Sequence, residues 1–241
     1  MKHNSRMKRS IRSLILALTI LATLALAACS GASQSTSTVD AKIVVAESVP
    51  AMQALESFHF VYEVVKPQSA APAQGLEIAK IEGDVTADGK MKAAIDLLQN
   101  GVPLQVNFVA LGDIHYIQDP TSQKWQGVPA AMSPVGKINL NTGAVQVLQK
   151  LDNLEYVDTQ DIDGVKTYHL KGSVAPAEVA NMVGSVSTTE PFAGEIWIGV
   201  DDHLIRRIQI VGAATASEDP KTVRTIDLSA FDQPVTIEAP K

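Results

Sequence analysis

Residues 76–118 read LEIAKIEGDVTADGKMKAAIDLLQNGVPLQVNFVALGDIHYIQ. Short segments of alternating apolar and polar residues are divided here by Asp88-Gly89, Asn100-Gly101 and Gly112-Asp113. Asp-Gly and Asn-Gly favour tight hairpin turns because those turns require positive φ. The pattern predicts strands over Leu76–Ala87, Lys90–Gln99, Val102–Leu111 and Ile114–Gln118, joined as an antiparallel meander. Alternation gives such a sheet one face toward an apolar interior and one toward water. In Val102–Leu111, Leu104, Val106 and Phe108 share a face against Gln105, Asn107 and Val109, so the first set is expected to point inward.

Working outward, Phe58, Phe60, Tyr62 and Val64 alternate with His59, Val61, Glu63 and Val65 as a preceding strand. Before it, Asp40–Glu56 has helical spacing with Asp40 as N-cap, and Pro50 is expected to kink or split the helix. Lys66–Gly75 reads as a loop. Beyond the meander, Trp125–Pro134 reads as irregular, because Pro129 and Pro134 limit regular structure. Asn139–Asp152 reads as a helix capped by Asn139 or Asn141, with Val147, Leu148 and Leu151 on one face. A hairpin around Asp163-Gly164 follows, then a short helix over Ala175–Val186. Strands over Phe192–Val200, Leu204–Gly212 and Thr222–Leu228 close the chain, with Val235–Glu238 as a short added edge. About nine strands and three helices without βαβ alternation predict an α+β fold: a curved antiparallel sheet with helices against its concave face.

The N-terminus carries a different message. Lys2, Arg6, Lys8, Arg9 and Arg12 precede an apolar run from Leu14 that ends in Leu26-Ala27-Ala28-Cys29. A cationic head, a short apolar stretch and small exit residues describe a secretory signal, too short for the roughly 20 residues of a membrane span. Leu-Ala-Ala-Cys has the form of a bacterial lipobox, in which Cys29 takes a diacylglyceryl group and becomes the mature N-terminus. The expected organisation is a signal peptide over 1–28, a lipidated cysteine and flexible tether over 29–38, and one domain over 39–241. This places the protein at the cell membrane, lipid-anchored on its extracytoplasmic face. After residue 28 the chain has 15 Lys+Arg against 26 Asp+Glu, a formal charge of −11. So acidic a domain is not held on nucleic acid by bulk electrostatics. Cys29 is the only cysteine, so no disulfide supports the fold.

Catalytic signatures are absent: there is no Gly-x-Ser-x-Gly elbow, no His-Glu-x-x-His, no phosphate-binding glycine loop and no dinucleotide fingerprint. No catalytic residue and no cofactor are therefore expected. Asp158, Asp161, Asp163 and Gly164 suggest a calcium loop, but Leu170 stands where a Glu ligand is needed, leaving an acidic hairpin turn. Asp201-Asp202-His203 reads the same way. His59, His115, His169 and His203 are too dispersed to define a zinc site, and no metal is expected. Arg206-Arg207 is a candidate for a lipid headgroup, although adjacent strand residues point to opposite faces. Trp197 and the Phe58/Phe60/Tyr62 set either line a ligand cavity or fill a core.

The chain resembles the LppX/LprAFG group of cell-envelope lipoproteins. The resemblance rests on Ser57-Phe58-His59-Phe60, Asp163-Gly164 before Val165-Lys166-Thr167-Tyr168, Glu195-Ile196-Trp197-Ile198-Gly199 followed by Asp201-Asp202, and Pro234-Val235-Thr236-Ile237. The order of lipobox, helix, meander, helix and late strands also fits, while Pro50 departs from it. The resemblance implies a half-barrel with helices across its open side, enclosing an apolar cavity. It implies a carrier of acylated lipids or glycolipids between envelope layers, with a membrane transporter as a candidate partner. The expected lining is Phe58, Phe60, Tyr62, Ile95, Val106, Phe108, Val147, Leu151, Trp197 and Ile208. An aliphatic cavity suits this role, since each methylene removed from water contributes roughly 0.8 kcal/mol without polar recognition. The alternatives are a non-enzymatic envelope interaction protein with an ordinary packed core and, more weakly, a hydrolase with a site assembled from distant residues.

Overall fold

The computed structural model describes residues 39–67, 76–133, 140–183 and 186–241. The signal, Cys29 and the tether lie outside these residues, as do the Asn139 cap and most of the 66–75 loop.

The domain is one eleven-stranded antiparallel sheet in the order β6-β5-β4-β3-β2-β1-β11-β10-β9-β8-β7. The N-terminal arm comprises β1 (Ser57–Val65), β2 (Leu76–Thr86), β3 (Met91–Gln99), β4 (Val102–Leu111), β5 (Ile114–Gln118) and β6 (Trp125–Pro129). The C-terminal arm comprises β7 (Asp152–Ile162), β8 (Val165–Val174), β9 (Phe192–Gly199), β10 (Ile205–Val211) and β11 (Val223–Ser229). The arms join where β1 pairs with β11, through partners such as Tyr62 and Ile226. The expected hairpins form: both residues of Asn100-Gly101 and of Asp163-Gly164 adopt positive φ, the backbone of a tight two-residue turn.

Three helices cover one face: α1 (Ala41–Gln53), α2 (Leu140–Gln149) and α3 (Pro176–Val183). Asp40 caps α1, its side chain accepting a hydrogen bond from the Lys42 N–H at 2.9 Å. Pro50 neither splits nor ends α1, which runs unbroken to Gln53. The ring sits in the last turn, where only one bond, to the Ala46 carbonyl, is forfeited. Helix α1 packs against α2 and edge strand β7, while α2 packs against α3 and β2.

A flat sheet of eleven strands would span roughly 50 Å, more than three short helices can cover. Apolar residues of both arms and all three helices nevertheless form one contiguous core. The sheet therefore curls around the helices as an open half-barrel.

Two strand expectations are corrected. Trp125–Pro129 is a strand, β6; as an edge strand it tolerates Pro129, whose missing N–H faces no further partner. Val235–Glu238 forms no strand, although Ile237 is buried. The helix expected to reach Asp152 ends at Gln149, because β7 already begins at Asp152.

Candidate functional site

Cross-strand register organises the concave face. Val106, Ile95, Ile81, Tyr62, Ile226, Ile208, Ile196, Leu170 and Tyr156 are successive partners across nine strands, forming one row. A second row runs Phe108, Ala93, Gly83, Phe60 and Leu228. Register shifts between Ile78 and Lys80 make Ile78, opposite Leu97, share the face of Ile81. Without that bulge the beginning of β2 would turn its apolar residues outward.

The structure thus brings Phe58, Phe60, Tyr62, Ile95, Val106, Phe108, Val147 and Ile208 into the concave core. Leu151, partly buried, packs against it over Gly172 and Gly194. Trp197 is the exception and is corrected. It pairs with Arg207 and His169 on the convex face, while Ile196 and Ile198 point inward. There the Trp197 ring stacks on His169 at 4.4 Å between centroids, 5° from parallel. Its indole N–H donates to Gln160 Oε1 at 2.9 Å. His169 Nε2 lies 2.8 Å from Glu195, and Nδ1 lies 3.2 Å from Asp158.

The other candidates are accounted for individually. Asp158 serves the His169 cluster, and Asp163 forms a turn. His59 bonds Asp84 at 2.8 Å, and His203 lies near Glu47. His115 faces inward, edge-on to Phe108, with burial pushing its pKa below the usual imidazole range. Among the described residues, no three His, Cys, Asp or Glu side chains converge on a metal position. Arg206 pairs with Asp202 and lies over Phe231, whereas Arg207 makes a two-pronged pair with Asp227 at 2.5 and 3.0 Å. Both guanidinium groups are thus already engaged by carboxylates.

The concave face is not uniformly closed. Ile196, Ile208, Ile210 and Leu170 retain 0% exposure, as do Val147 of α2 and Val179 and Met182 of α3. On the other arm Leu97 keeps 8% and Val106 9%, Met91, Ala93 and Ala110 keep similar traces, and Leu104 and Ile117 are half-buried. A side chain with no accessible surface touches neither solvent nor a void that admits water. Accessible aliphatic concave surface therefore lies along β3–β5, while half-buried Tyr156 and Tyr168 leave aromatic surface at β7 and β8. Small residues help create it: Gly83 faces Ala93, and Ala110 faces Met91. A Cβ on Gly83 would come within 2.7 Å of Ala93, so the glycine permits close approach there.

Besides His115, a charged group interrupts the concave face. Arg224 is buried, donating to the Gly212 carbonyl at 3.0 Å and to Glu218 at 2.5 Å. Burial pushes the nearby Tyr62 phenol up to about 12, with the Arg224 guanidinium opposing that shift. Leu97, Ala110 and Ile117 escaped the sequence reading because their place on the concave face depends on cross-strand register.

Comparison with known proteins agrees with this architecture. The chain is 26% identical over 236 residues to the lipoarabinomannan carrier protein LprG of Mycolicibacterium hassiacum, covering 94% of this chain and 96% of that one. It superposes on LprF from Mycobacterium bovis with a TM-score of 0.65 at 20% identity, over 83% of this chain and 96% of that chain. LppX from Mycobacterium tuberculosis gives a TM-score of 0.59 at 20% identity, over 83% and 100% of the two chains. The LppX_LprAFG lipoprotein family model matches residues 40–237, nearly the whole described domain, and the chain belongs to that family.

Proposed function

We propose that this protein binds the acyl chains of a lipid or glycolipid along the concave surface of β3–β5 and carries it between envelope layers. It performs no chemical step on its cargo, needs no cofactor, and works from a membrane anchor on Cys29. The observation that carries this reading is the unequal closure of the concave face. Ile196, Ile198, Ile205, Ile208 and Ile210 of β9 and β10 are packed to zero exposure, while aliphatic residues of β3–β5 remain accessible. The relative named as a lipoarabinomannan carrier supports a glycolipid as cargo. Acyl chains need only apolar area, which Leu97, Leu104, Val106, Ala110 and Ile117 supply.

Mass spectrometry of an organic extract from protein purified out of its native host tests this. The expected result is about one acylated lipid per protein molecule; none at all contradicts carriage. Cys29→Ala is expected to release the protein from membranes and remove the diacylglyceryl mass, since stable attachment takes two acyl chains. Unchanged retention and mass would refute the anchor.

A further inference from the structure

We infer that the outer ends of β2 and β4 form an apolar lip that seats against a lipid bilayer, so that cargo passes between membrane and concave strip without crossing water. This inference rests on the carrier reading.

Leu76, Gln99 and Val102 are direct cross-strand partners on the concave-face register, one step beyond the Ile78–Leu97–Leu104 row. Along this face exposure rises from 9% at Val106 through half-buried Leu104 to 65% at Val102. Leu76 is 50% exposed. The apolar surface of the strip thus runs out into solvent at this end. Large apolar side chains this exposed and this close together call for a partner.

Charge selects a bilayer rather than an acidic or basic protein surface. Lys66 and Glu77 at this lip neutralise each other as an ion pair, and Gln99 is uncharged. The chain after residue 28 is strongly acidic, so attraction to anionic headgroups would not orient it. Apolar contact would. The nine residues from Ser30 to Thr38 extend at most roughly 30 Å, which keeps a domain anchored at Cys29 within reach of the membrane surface. The opposite rim also exposes Ile114 and Met132, but Ile114 belongs to the convex register and does not continue the accessible strip. It provides a matched control.

The test uses the full-length lipidated protein in phosphatidylcholine–phosphatidylglycerol vesicles. With the Cys29 thiol acylated, single cysteines introduced by Leu76→Cys, Val102→Cys or Ile114→Cys carry an environment-sensitive fluorophore. Doxyl-labelled lipid is expected to quench the fluorophore at 76 and 102 but not at 114, and raised salt is expected to leave this unchanged. Quenching at 114 alone, at all three sites equally, or at none overturns the inference. A second measurement separates docking from binding. The Leu76→Asp/Val102→Asp double variant is expected to take up lipid from vesicles at least about tenfold more slowly, because charged groups resist leaving water. Its melting temperature and its loading from detergent micelles should be retained. Uptake at the wild-type rate would refute the lip. Failure of the wild-type protein itself to load from micelles would instead remove the carrier reading beneath it.

Discussion

The two arms of the sheet share one strand grammar yet differ in how their concave faces end. On the C-terminal arm, Ile196, Ile198, Ile208 and Ile210 have no exposure, and the Ile205 N–H reaches the Met52 sulfur of α1 at 3.3 Å. On the N-terminal arm, α2 packs on β2, and the strip along β3–β5 keeps accessible aliphatic surface. The same inward-facing residue types therefore end differently. β9 and β10 supply a closed core, and β3–β5 leave apolar area accessible, which is where the proposed cargo would bind.

The sharpest way to break this comparison is to overpack the closed arm. Ile208→Trp forces a large ring among residues with no accessible surface, and is expected to cost about 3 kcal/mol or more. Calorimetry should show the melting temperature fall by several degrees or the protein fail to fold. Tolerance of this change would mean that the two arms are equally loose.

A smaller effect belongs to the seam between the arms, where Tyr62 stands beside Arg224. Its phenol is raised from 10.0 to about 12, so the neutral form is favoured by folding. Stability from this group is complete below pH 10 and is lost as pH rises toward 12. The shift corresponds to about 2–3 kcal/mol. Denaturant titrations across that window should show a steeper decline for the wild type than for Tyr62→Phe. Parallel curves would mean the phenol is hydrated.

The smallest change tests the convex face. Trp197→Phe keeps a ring over His169 but removes the donor to Gln160, and is expected to cost about 1 kcal/mol. Lipid content should stay unchanged, because this ring lies on the far side of the sheet. A loss of lipid without a loss of stability would put Trp197 back in the binding surface.

Much of this architecture is legible in the sequence because hairpin turns and alternation are local signals. Asn100-Gly101 and Asp163-Gly164 declare their turns, and Leu104, Val106 and Phe108 declare their face. Trp197 is not legible in that way: in Ile196-Trp197-Ile198 the alternation is lost, and only the cross-strand neighbours Arg207 and His169 show which way the ring points. β6 was hidden for another reason, since Gly127 and Pro129 are poor strand residues unless the strand lies at an edge. The contrast between arms is a tertiary property. Nothing local distinguishes Ile208 from Val106; their places in the eleven-stranded order do, since Ile208 lies mid-sheet and Val106 ends its row.

Val106→Trp tests the central claim most directly, measured as lipid-free melting temperature together with bound acyl lipid per protein. Val106 ends the concave row at its accessible side, so a tryptophan there has room that Ile208 lacks. The expected result is a melting temperature near that of the wild type with clearly less lipid bound. Strong destabilisation would mean that this arm is also a closed core, and equal stability with undiminished lipid would mean that the cargo binds elsewhere.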